Sequence, residues 1–130
     1  MKKTLLWMGV AFLLLAGAMV IFAMVGLSEA INLDIQTVPL AGIQDGMYPG
    51  EYQNGRFSNT VNVLVEDHTI AAVLPVKIAD GQEALTQTLT ASILKEQTPA
   101  VDVVAGATAS SKSFLRAVEA ALEQAPVTTE

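Results

Sequence analysis

The sequence contains no cysteine, and it has only one histidine and one tryptophan. Lack of cysteine excludes disulfides, a lipid-modified cysteine anchor, thiolate metal sites and iron–sulfur clusters. The lone histidine, His68, has no second imidazole or thiol with which to hold a transition metal, and no serine stands in a triad relation to it. A turn is the better place for it, since histidine tolerates a left-handed backbone. Basic charge is scarce too. Beyond residue 28 the chain carries Arg56, Lys77, Lys95, Lys112 and Arg116 against 13 acidic residues, a balance of −8. Such a surface repels nucleic acid and anionic headgroups, and no basic stripe is visible to offset it. No nucleic-acid partner is expected.

Apolar residues, by contrast, are concentrated. Leu5 to Leu27 is a run of 23 residues with no charge, Pro, Asn or Gln. As a helix it is roughly 35 Å long, enough to cross a hydrocarbon core of about 30 Å. A signal peptide has a shorter apolar core, about 7–15 residues, ending at a small-residue cleavage site, and Ser28, Glu29 and Ala30 make a poor one. Some 100 remaining residues could not bury such a helix on all sides. The reading is an uncleaved single-pass anchor in the cell membrane. Lys2 and Lys3 precede it and the acidic residues follow it, so the N-terminus is expected in the cytoplasm and the rest outside, periplasmic or extracellular.

The remainder divides by composition. Residues 1–27 form the cytoplasmic stub and anchor, and 28–44 read as a juxtamembrane stalk with at most a short edge strand around Ile31, Leu33 and Ile35. Residues 45–124 form the one globular domain, and 125–130 a flexible tail. Within the domain Val61, Val63 and Val65 alternate with polar neighbours, as in a half-buried strand. A turn over Glu66 to Thr69 leads to a second β-branched run, Ile70 to Val76, edged by Pro75. Tyr48 to Gln53 supplies a strand before them. From Glu83 the period becomes helical, with Leu85, Leu89, Ile93 and Leu94 on one side and Thr98-Pro99-Ala100 ending the run. Phe114, Leu115, Val118, Ala121 and Leu122 form the stripe of a second helix, with Lys112, Arg116, Glu119 and Glu123 opposite. The expected fold is α+β: a small antiparallel sheet packed on one face by two helices, preceded by one N-terminal transmembrane helix.

Chemistry concentrates in Val101 to Leu122, where Asp102 and a short apolar stretch lead to Gly106-Ala107-Thr108, two serines and the amphipathic helix. A helix start offers unshared backbone N–H groups and the positive end of a dipole to an anion. Gly106 and Ala107 let the main chain approach closely, and Thr108 presents a hydroxyl there. Ser110 or Ser111 is placed to cap the first turn. On spacing alone, a phosphate-accepting loop and an ordinary capped helix both remain open.

The segment resembles the flavinylation motif of the FMN-binding domain family, whose pattern is an Asp, then Ser/Thr-Gly-Ala-Thr, then Ser or Thr and an amphipathic helix. Asp102, Gly106, Ala107, Thr108 and Ser110 or Ser111 fill it. The family's domain often opens on Asp-Gly-x-Tyr-x-Gly, and Asp45-Gly46-Met47-Tyr48-Pro49-Gly50 matches. The resemblance covers about Asp45 to Leu122. Ala105 stands where the family has Ser or Thr, and Asp67-His68 where Asp-Gly is common.

The resemblance implies FMN attached covalently to Thr108 as a phosphoester, through a flavin transferase that uses FAD as donor. It implies that Gly106, Ala107 and nearby amides hold the phosphate, that Asp102 organises the loop, and that Tyr48 packs near the flavin. It further implies an electron carrier relaying electrons from a membrane reductase to an extracytosolic acceptor, or within a redox complex. The alternative is a non-redox interaction module of the same fold. An independent reductase ranks last, because no acid, base or substrate pocket is visible.

Overall fold

The computed structural model describes residues 1–24, 26–78 and 81–126. Helix α1 (Lys2–Met24) is followed by a short α2 (Leu27–Ile31), and the strands β1 (Gly46–Tyr52), β2 (Asn59–Glu66) and β3 (Thr69–Lys77) come next. Helices α3 (Glu83–Glu96) and α4 (Thr108–Gln124) complete the chain. The fold is α+β, as the alternation and helical periods require.

The sheet is an antiparallel meander in the order β1-β2-β3. Val61, Val63 and Val65 of β2 are fully buried while Asn62 and Leu64 are half-exposed, so one face is the core face. Helix α4 lies over β1 and β2, and α3 over β3. Each edge strand carries a proline, Pro49 in β1 and Pro75 in β3, where a missing N–H costs no ladder bond. Between β2 and β3, Asp67 and His68 both adopt left-handed backbone (φ 55° and 60°) and Glu66 pairs with Thr69. That is the two-residue hairpin geometry whose twist suits the strands. Asp45 Oδ1 accepts the Asp67 N–H at 2.8 Å and ties the turn to the start of β1.

Helix α3 ends on Gln97, itself left-handed at φ 58°. Its side chain does the work of a strand partner: Oε1 accepts the Ile70 N–H at 2.6 Å, and Nε2 donates to the Ile70 carbonyl at 3.1 Å. The amide thereby satisfies the edge of β3. Gln97→Ala leaves those half-buried groups without their partner and should cost about 1–3 kcal/mol, read as a lower urea midpoint at unchanged slope. Gln97→Gly relieves the backbone but loses the same bonds, so its midpoint should also fall below that of the parent.

Four expectations need correction. The polar side of α4 is not solvated throughout: Glu119 is 4% exposed, pairs with Arg116 Nη1 at 2.7 Å and accepts the Gln36 N–H through its other oxygen. The cause is the segment 28–44, expected as a stalk. It packs along α4, with Ala30 and Ile43 fully buried and Leu33, Ile35, Val38 and Leu40 against the core. No strand forms over Ile31 to Ile35. At the other end Ala125 is buried and the Pro126 carbonyl accepts the Gln44 N–H, so the order extends past the expected domain end. The rest of the expected tail, 127–130, lies outside the described residues.

Helix α1 has no such cover. Leu5, Leu6, Trp7, Phe12, Leu13, Ile21 and Phe22 are all exposed, and the helix is long and apolar enough to cross a membrane.

Candidate functional site at the start of helix α4

The loop from Val101 to Ala107 carries the chain from the end of α3 to the start of α4. Its last step is a tight turn in which the Ala107 N–H donates to the Val104 carbonyl at 3.0 Å. Gly106 is the third residue of that turn with φ 79°, the position at which glycine is preferred, and its missing Cβ would point into open space. Ser111, fully buried, fixes the turn from behind: its Oγ accepts the Val104 N–H at 3.1 Å. Ser111 is therefore a brace. Neither it nor Ser110 caps the helix, contrary to expectation, because the turn at Gly106 has already reversed the chain and α4 begins at Thr108. The residue in the cap position is Ala107, which has no side-chain acceptor.

An uncapped start leaves donors free. Among the described residues the N–H groups of Thr108, Ala109 and Ser110 meet no acceptor, and the first bond of the helix runs from Ser111 N to Ala107 O at 2.8 Å. The Thr108 and Ser110 hydroxyls, both half-exposed, likewise make no hydrogen bond among these residues, whereas Ser113 donates to the Ala109 carbonyl at 2.6 Å. Three unshared amides and two free hydroxyls thus face the same space, at the positive end of a 17-residue helix.

That space is an open depression of about 370 Å³ lined by Gly106, Ala107, Thr108 and Ser110 from the loop and helix. Arg56 and Phe57 close it on one side, Leu27 and Ile31 of α2 on another. Through Arg56, Phe57 and Ser110 it adjoins a larger depression of about 650 Å³, to which Ser58, Lys77 and Ile78 contribute. The Arg56 guanidinium lies over the Phe57 ring, 4.8 Å from its centroid, a cation–π contact that holds the charge at the rim. Lys112, one helical turn beyond Thr108, donates to the Ile31 carbonyl at 2.7 Å. Three of the five basic residues beyond the apolar run therefore gather around one end of an otherwise acidic domain. Sequence reasoning missed Arg56 and Lys77, since one lies in the β1–β2 connection and the other at the end of β3, and only the sheet register brings them together.

Other expected site residues lie elsewhere. Tyr48 pairs with Val63 toward the hairpin end of β1, and its hydroxyl donates to the Gln44 carbonyl at 2.6 Å. It lines neither depression. Asp102 is exposed at the beginning of the loop and also lines neither. The tyrosine nearer the site end of β1 is Tyr52, which accepts a hydrogen bond from Asn54 Nδ2 at 3.0 Å. Burial, with the Glu29 carboxylate adding to it, raises the Tyr52 phenol above its ordinary pKa and keeps it neutral.

Unshared amides, a glycine that admits close approach, a free threonine hydroxyl and a flanking guanidinium together suit a phosphate ester. The adjoining depression has the size of a small-cofactor site. Comparison with protein families agrees: the FMN-binding domain profile matches residues 41–123, well over half of the chain. No curated protein and no solved structure matches it.

Proposed function

Because the chain belongs to the FMN-binding domain family, we propose that it is a membrane-anchored, extracytosolic electron carrier with FMN joined to Thr108 through a phosphoester. The observation that carries this reading is the free Thr108 hydroxyl set among three unshared amides beside Arg56. Bound there, FMN supplies one- or two-electron chemistry that no side chain of this domain can. The chain's own part is to hold it. Thr108 Oγ1 forms the bond to phosphorus, with AMP leaving from FAD, in a reaction run by a separate flavin transferase. The amides of Thr108, Ala109 and Ser110 share the remaining phosphate charge, and Arg56 offsets it. Gly106 and Ala107 keep the approach open. Lys2 and Lys3 before the apolar run, with no basic residue close after it, support an N-terminus inside and the site outside.

Protein purified from membranes of its host should be yellow and heavier by one FMN moiety. Made without the transferase, it should fold but remain colourless, also when incubated with FAD. An unmodified mass from the host, or covalent yellowing with FAD alone, would overturn the proposal. Protease added to intact cells or spheroplasts should digest the domain, and protection in both would reverse the orientation.

A further inference from the structure

The segment that follows α1 is built into the site. Leu27 and Ile31 of α2 line the Thr108 depression, the Gly26 carbonyl accepts Asn54 Nδ2 at 2.7 Å, and the Ile31 carbonyl accepts Lys112 Nζ. Leu27 is three residues beyond Met24, the last residue of α1. A chain of that length reaches at most about 10 Å. If α1 spans a bilayer, the depression it leads into cannot stand far from the outer surface.

Charge is distributed to match. Arg56, Lys77 and Lys112 lie at this end, where Tyr52 and Asn59 begin the hairpin pairing and Lys77 closes β3. Glu29 on α2 and Glu51 of β1, which lies across Thr60 from Lys77, are acids beside them. Asp45, Glu66 and Asp67 gather at the opposite end of the sheet around the β2–β3 turn. Nine residues of β3 separate the two ends, about 25 Å along an extended strand. A domain polarised in this way turns its basic end toward an anionic surface even though its net charge is negative.

We propose that the domain stands on the bilayer with the Thr108 depression facing the lipid headgroups, held there by the anchor–domain junction and by the basic end. The partner surface is the membrane itself, and whatever exchanges with the site approaches at the level of the headgroups. This rests on α1 spanning the membrane and not on the flavin, so the colourless protein serves for the test.

Absence of native cysteine makes single-site labelling clean. The full chain carrying Ser110→Cys, at the depression, or Glu66→Cys, at the far turn, is labelled with a small fluorophore. It is then inserted into phosphatidylcholine vesicles containing lipid with a nitroxide on its headgroup. The label at Ser110 should lose most of its emission and that at Glu66 little. A flexible Gly/Ser insertion after Met24 should bring the Ser110 signal to the Glu66 level in these neutral vesicles. Added phosphatidylglycerol should restore quenching at Ser110 in that variant, with high salt removing it again. Equal quenching at both positions, or stronger quenching at Glu66, would overturn the proposal. Failure of the chain to float with the vesicles would overturn the anchor and this orientation together, leaving the mass test of flavin attachment unaffected.

Discussion

Thr108→Ala should abolish covalent flavin completely while leaving the domain folded. Its hydroxyl makes no hydrogen bond to the described residues and the cap position belongs to Ala107, so the fold loses little when Oγ1 goes. Stability should change by no more than about 0.5 kcal/mol, as for a surface substitution away from any cap or core. A phosphoester, unlike an affinity, has no weakened intermediate state: without the oxygen there is no bond. Ser110→Ala should keep the mass increment of one FMN moiety. Ser111→Ala should keep it too, but it leaves the part-buried Val104 N–H without its acceptor and should cost about 1–3 kcal/mol. Intact mass and in-gel flavin fluorescence after denaturation separate the three variants. Fluorescence persisting in Thr108→Ala would put the flavin elsewhere, and loss only in a serine variant would move the site along the helix.

The largest effect on stability is expected at Gly50, far from any chemistry. Helix α4 crosses β1 so closely there that an added Cβ would fall inside the van der Waals envelope of the Ala117 carbonyl oxygen and 2.6 Å from Ala121 Cβ. Both neighbours are fully buried and belong to a rigid helix, so neither can yield as a flexible side chain would. Gly50→Ala should destabilise by at least the roughly 1–3 kcal/mol typical of overpacking, and Gly50→Val by more. Thermal unfolding followed by circular dichroism measures it. A midpoint within a degree or two of the parent in Gly50→Val would mean that α4 does not approach β1 in this way. Glycine is needed here for space, and φ has no part in it.

The elements with a single clean period were legible. Val61, Val63 and Val65 alternate because one face of β2 is buried under α4, and Leu89 and Ile93 recur at four because α3 buries one stripe. Glu66 to Thr69 read as a turn from composition, and its left-handed pair follows from the residue types. The segment 28–44 was not legible. Its apolar residues follow no one period, since it is an irregular strap laid along α4, and a strap has no repeat of its own. Glu119 misread for the same reason: helical spacing places it opposite Phe114 and Val118, but spacing cannot say what covers the far side. At the site the pattern around Gly106 and Thr108 was visible because it is local. Arg56 and Lys77 were not, because their approach depends on two turns of the sheet ending at one place. The expected roles of Asp102 and Tyr48 came with the resemblance, and in this structure neither residue reaches the depression.

Pro49 and Pro75, with the Gln97 amide across from Ile70, bear on how copies of the domain would meet if the proposed anchor holds them on one membrane. Anchored molecules share two dimensions, so neighbouring copies meet far more often than in solution and sheet borders collide side by side. A border with a full row of donors would recruit another copy as an added strand. Here each border lacks a donor at its proline, and one is further occupied by a side chain that imitates a neighbouring strand. These features work against strand pairing between the sheet borders of crowded copies.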